Sequence, residues 1–121
     1  MSAKAGTAPS PDPNRRVRRH PRYTCNFPVT VTLFAGDSYR RLDAHCKNLS
    51  EAGMGILLAQ ELDAGEVVSL KFSFPESPQE WELRAVLRHR RGYHYGLEFI
   101  SVGTELKRIM RRFMKGLEIS E

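Results

Sequence analysis

Five arginines, Arg15, Arg16, Arg18, Arg19 and Arg22, fall within eight consecutive positions, in the stretch NRRVRRHPRY. Arginine carries a planar fork of donors that engages a phosphate through two parallel bonds, and the same fork fits the O6 and N7 acceptors of guanine. The guanidinium plane also stacks on a purine face. Pro21 disfavours a helical conformation at His20, so the segment is expected to be extended or turned, with its guanidinium groups able to converge on one ligand. A solvated basic tail is the plainer explanation of such a cluster taken alone. The chain's net charge of +5 belongs wholly to this arm, because without the five arginines fourteen Lys and Arg face fourteen Asp and Glu. A general nucleic-acid binder more often spreads positive charge over a face of its fold. Charge this localised points to a compact, multiply charged anion.

The second stretch is Asn48-Leu49-Ser50-Glu51-Ala52-Gly53. The Asn48 amide and the Ser50 hydroxyl each donate and accept, and a spacing of two puts them on one side of an extended chain, where they read one ligand edge together. Gly53 supplies either a positive φ or room for close backbone approach, and Gly55 adds to that freedom. A polar turn between two strands explains this stretch too when it stands alone. Asn48-Leu49-Ser50 also matches a glycosylation acceptor, which is idle in a chain that is not exported.

Other candidates point to packing. His20, His45, His89 and His94 lack the spacing and the cysteine or carboxylate company of a metal site, so neither metal nor cofactor is expected. No nucleophile with a nearby base suggests itself, and the chain is not expected to be an enzyme. Cys25 and Cys46 fall where alternation places buried side chains and are read as small core thiols. Trp81 shares the phase of Leu83, Ala85 and Leu87 and belongs with the core. The segment KRIMRRFMK is basic and amphipathic, which fits a packed apolar face with a solvated opposite face better than a membrane or RNA surface.

The elements that must position these residues follow from periodicity. Cys25, Phe27, Val29, Val31 and Leu33 alternate with polar residues, as in a strand with one buried face. After a turn at Ala35-Gly36-Asp37 the pattern resumes from Ser38 to Lys47, with Leu42, Ala44 and Cys46 inward. Met54, Ile56 and Leu58 mark a third strand. Val68, Leu70, Phe72 and Phe74 mark a fourth, and Trp81, Leu83, Ala85 and Leu87 a fifth. Tyr93, Tyr95, Leu97 and Phe99 mark a sixth, after a turn at Arg91-Gly92. From Thr104, a candidate N-cap, the residues Leu106, Ile109, Met110, Phe113 and Leu117 take helical spacing. The expected fold is mainly all-β: a six-stranded antiparallel β-barrel, which leaves no exposed edge, with a C-terminal α-helix.

At 121 residues this is one domain. Residues 1–14 are expected to form a disordered tail, 15–117 the domain and 118–121 a C-terminal tail. No stretch approaches the roughly 18 apolar residues of a membrane span, and the N-terminus lacks the apolar run of a secretory signal. A soluble cytoplasmic protein with no membrane span is expected.

Taken together, the two motifs resemble those of the PilZ domain of bacteria. An arginine arm of the form RxxxR precedes the first strand and an (Asp or Asn)-x-Ser-x-x-Gly motif ends the second. The resemblance extends to the strand count, to Tyr95-Gly96-Leu97-Glu98-Phe99 and to the closing helix, and covers about Arg15 to Leu117. It implies binding of the second messenger cyclic di-GMP. Arg18 and Arg22 would then contact phosphates and guanine edges, Arg19 would add a clamp, Asn48 and Ser50 would hydrogen-bond a guanine, and Gly53 would let it approach. Arg15 and Arg16 are possible additional contacts for a stacked pair of ligand molecules. Relatives often carry an aromatic residue near Arg88; here the arginine could substitute by stacking.

The implied function is a receptor or adaptor whose arm orders over the barrel on binding and presents a surface to an unidentified effector protein. The alternatives are a ligand-independent PilZ-like adaptor and a basic-arm nucleic-acid binder. The latter is not favoured, because it predicts length-dependent binding with a steep salt slope. One ligand molecule or two, a monomer or a homodimer, and cyclic di-GMP or its mixed guanine–adenine analogue are all compatible with these residues.

Overall fold

The computed structural model describes residues 20–120; the expected tail over 1–14 and the arm residues Arg15, Arg16, Arg18 and Arg19 lie outside them. Alternating apolar residues build each strand as the sequence pattern requires. In β1, Arg22–Ala35, Cys25, Phe27, Val29, Val31 and Leu33 are buried. In β2, Ser38–Leu49, the buried set is Leu42, Ala44, Cys46 and Leu49. Gly36, with φ of 64°, makes the tight turn between them. The remaining strands are β3 (Gly53–Leu57), β4 (Val67–Phe72), β5 (Trp81–Arg91) and β6 (His94–Phe99).

All strand pairings are antiparallel. The order is β2-β3-β6-β5-β4-β1, and pairing of β1 back onto β2 closes the six-stranded barrel. Closure pairs both edges of the sheet and surrounds a core that includes Val31, Cys46, Met54, Leu70, Leu87 and Tyr95.

Helix α1, Thr104–Met114, covers one end of the barrel with Leu106, Met110 and Met114 buried. Phe113 stacks on Phe74 with ring centroids 4.9 Å apart and meets Phe27 edge-on at 5.9 Å. Such aromatic pairs add roughly 1 kcal/mol each beyond their burial. The helix's N-cap is Gly103, not Thr104, and no side chain caps it; Thr104 is already the first helical residue. Tyr93 is 52% exposed and lies outside β6. The turn centred on Gly92, with φ of 63°, takes it out of the inward phase.

Residues 118–120, assigned to a tail from the sequence, include the two-residue strand β7 (Ile119–Ser120), which pairs with Arg22 and Tyr23. The Thr24 amide also donates to the Glu118 carbonyl at 2.8 Å. The root of the arginine arm is therefore flanked by β7.

Candidate functional site

From Phe27↔Cys46 to Ala35↔Ser38 the β1–β2 ladder is regular. Toward the arm it is not. The β1–β2 register shifts between Thr24 and Phe27, and the β2–β3 register shifts between Cys46 and Asn48. A bulge inserts an extra residue and resets which side chains face inward. Strict alternation after Leu42, Ala44 and Cys46 would put Asn48 inside the barrel. With the bulge, Leu49 takes the core position and Asn48 is only half-buried.

The Asn48 side chain meets the end of the arm. Arg22 donates from Nη1 to Asn48 Oδ1 at 2.7 Å, a short, charge-assisted bond. The two motifs, 26 residues apart in sequence, thus share one hydrogen bond.

Beside Asn48 the barrel wall is made of glycine. Asn48 pairs with Gly55, Gly55 with Gly96, and Gly96 with His89, a row across four strands. A Cβ at Gly55 would lie 2.7 to 3.0 Å from the Asn48 amide atoms, and one at Gly96 would collide with the His89 imidazole. The two glycines therefore give the amide and the imidazole room to lie close over the wall. The imidazole is exposed, offering a flat ring beside the amide. From the sequence His89 is set aside as lacking the spacing and company of a metal site; the signal available was its place seven residues before Gly96 across a turn, which only the register makes meaningful.

The other expected site residues have distinct positions. Ser50 is buried, and its hydroxyl accepts from the Ala52 and Gly53 amides at 3.1 Å each while donating to the Gly53 carbonyl at 3.3 Å. That uses its one donor and both acceptor positions within the turn. Gly53 has no positive φ. Its missing side chain is required because a Cβ would collide with the Leu97 carbonyl oxygen on β6. Arg88 sits at the β5 register shift between Leu87 and His89, and its Nε donates to Glu98 Oε1 at 2.6 Å. Both side chains are more than half exposed, and Glu98 follows Gly96 by two on β6, so the pair borders the glycine wall.

Glu51, within the second motif, was missed by sequence reasoning. It accepts from Arg111 Nε at 2.9 Å and Nη2 at 3.1 Å, tying the turn to α1 across 60 residues of sequence. That bond lowers the Glu51 carboxyl below its ordinary value, with smaller contributions from the charges of Arg111, His20 and Lys107.

Beneath Arg22 and Asn48 lie the two cysteines, their sulfurs 3.5 Å apart. The Cys46 thiol donates to the Asn48 carbonyl at 3.2 Å. Burial pushes the Cys46 thiol well up, whereas the contact with the Cys46 side chain, aided by the charge of Lys47 and opposed by burial, lowers that of Cys25. Among the described residues no group of three or more His, Cys, Asp or Glu side chains is placed to hold a metal ion, and no helix is long and apolar enough to cross a membrane.

A barrel of this topology with an arginine at its entry and an Asn-x-Ser-x-x-Gly turn beside it defines a class, and residues 16–116 match the family model of the PilZ domain. The chain belongs to the PilZ domain family. Solved structures agree in fold. The PilZ domain with c-di-GMP of YcgR from Escherichia coli superposes with a TM-score of 0.66 at 19% identity, covering 84% of this chain and 92% of that one. The PilZ domain of CeSA from a cellulose-synthesizing bacterium gives 0.60 at 15% identity, with 78% and 95% covered. The Bacillus subtilis inhibitor of motility, MotI/DgrA, gives 0.63 at 17% identity; 84% of this chain is covered but 51% of that one, so this chain spans about half its length. No curated protein sequence matches this chain.

Proposed function

We propose that this protein is a cyclic di-GMP receptor of the bacterial cytoplasm that binds its ligand between the arginine arm and the outer wall around Asn48, without turning it over. The observation that carries this reading is the Arg22–Asn48 hydrogen bond, which brings the root of the arm against the polar turn. The fork of Arg22 serves a phosphate or a guanine edge, the Asn48 amide hydrogen-bonds the base, and His89 over Gly96 provides a ring for stacking. Ser50 and Gly53 act as positioning residues that set the turn. Arg18 and Arg19 close over the ligand from the arm, with Arg15 and Arg16 available to a second ligand molecule and Arg88 at the border of the wall. The phosphates neutralise repulsion among the arginines, the arm is drawn onto the barrel, and the surface so formed engages an effector protein.

Calorimetric titration with cyclic di-GMP, its mixed guanine–adenine analogue and GTP tests this reading. Cyclic di-GMP should bind most tightly, and Arg22→Ala should weaken it by about 2 kcal/mol, roughly 30-fold. Absence of binding at micromolar ligand would leave a ligand-independent adaptor. Length-dependent oligonucleotide binding with a steep salt slope would mark a nucleic-acid binder instead.

A further inference from the structure

The two thiols beneath the proposed recognition surface have no part in it as described. Cys25 and Cys46 lie on adjacent strands with sulfurs in contact at 3.5 Å. Both are free thiols, and each adjoins a register shift where the ladder is interrupted. We infer that Cys25 and Cys46 form an oxidisable dithiol, a modification site that a small hydroperoxide closes to an intramolecular disulfide, displacing Asn48 as it closes.

A disulfide has an S–S length of about 2.05 Å, so the sulfurs need approach by only about 1.5 Å. The bulges on both strands are where the backbone yields most readily. Cys25 keeps 8% exposure and Cys46 none, so a small oxidant meets Cys25 first. The thiolate is the reacting form; at Cys25 it is favoured by the Cys46 thiol, whose one hydrogen can turn from the Asn48 carbonyl to the Cys25 sulfur, and by the charge of Lys47, with burial opposing both.

The Cys25 thiolate attacks one oxygen of the hydroperoxide, the O–O bond breaks, and Cys25 becomes a sulfenic acid. The departing oxygen takes up the proton that Cys25 released and leaves as water or an alcohol. The Cys46 sulfur then attacks the Cys25 sulfur. The S–S bond forms, the S–O bond breaks, and the hydroxyl leaves as water with the Cys46 proton. Two thiols lose two electrons and two protons in all, and the peroxide takes both.

Closure removes the only hydrogen by which Cys46 donates to the Asn48 carbonyl at 3.2 Å. That carbonyl sits at the bulge that turns the Asn48 side chain outward to Arg22. Loss of its donor and movement of the Cys46 backbone shift Asn48 together. Given the proposed ligand, which this consequence alone rests on, the oxidised form binds cyclic di-GMP more weakly by about threefold or more.

The test treats the reduced full chain with hydrogen peroxide, alkylates it under denaturing conditions, and reads intact mass and linked peptides. Asn48 side-chain amide resonances are followed in the same samples. The expected result is a mass lower by two hydrogens, both cysteines protected from alkylation, a Cys25–Cys46 linked peptide, displaced Asn48 resonances, and reversal of all four by dithiothreitol. Cys25→Ser and Cys46→Ser should each abolish the bridge; where either fails to fold, the wild-type peptide map decides alone. Oxygen uptake at Cys25 without a bridge, two thiols still open to alkylation, or a bridge that leaves the Asn48 resonances unmoved would each overturn the inference. If the reduced protein binds no cyclic di-GMP, the functional reading fails while the mass and resonance results still score the bridge.

Discussion

The two ends of the β1–β2 hairpin are built from one pair of strands and differ in how regularly they pair. Toward its tip, nine consecutive partners from Phe27↔Cys46 to Ala35↔Ser38 keep register without interruption. Valine and leucine alternate inward there, and the strand ends beside the turn carry the exposed aromatics Phe34 and Tyr39. Toward the arm both flanking ladders slip, and the slip turns a polar side chain outward to meet Arg22. Regular pairing keeps the core side chains in phase, and on the proposed function the irregular pairing sets the direction of the recognition side chains. Stability and recognition should therefore separate along a single hairpin.

Leu33→Ala strikes the regular end and carries the largest expected effect, about 3 kcal/mol of stability lost to the cavity it leaves. Denaturant unfolding should report that loss, while cyclic di-GMP affinity stays within a factor of two. A parallel loss of affinity would break the separation.

Gly55→Ala sharpens the comparison from the other end. Its Cβ would lie 2.7 Å from the Asn48 amide nitrogen, so the amide must move and the bond from Arg22 with it. Affinity should fall by about 1 kcal/mol, with a smaller change in melting temperature than Leu33→Ala produces.

Glu51→Gln has the smallest effect, because its bond to Arg111 lies near the surface, with the arginine side chain 59% exposed. The Glu51 carboxyl is held low in the folded state, so the pair's contribution is complete above the unfolded value of about 4.3. It is lost as pH falls through the lower folded value. Wild type should melt slightly above the variant at pH 7, and the two should converge well below pH 4 in thermal melts.

The strands were readable because alternation such as Val29-Thr30-Val31-Thr32-Leu33 carries its period in the residues themselves, and the helix because Leu106, Met110 and Phe113 change that period. The motif residues were readable by type, but their geometry was not. Alternation through Leu42, Ala44 and Cys46 runs on into Asn48 with nothing to announce a bulge. Ser50 satisfies its hydroxyl within three residues, a local competition that spacing does not reveal. The Gly55–Gly96 wall and the Glu51–Arg111 tie depend on register and on a contact 60 residues apart. Two residues of β7 are too short to show a period.

The central claim is that Arg22 and Asn48 act on the ligand as one unit, and a double-mutant cycle measured by calorimetry with cyclic di-GMP addresses it directly. Arg22→Ala and Asn48→Ala should each weaken binding by about 2 kcal/mol, and the double variant should be little worse than either, a coupling of about 1 kcal/mol or more. Strictly additive losses, or single variants that bind as wild type does, would contradict the account.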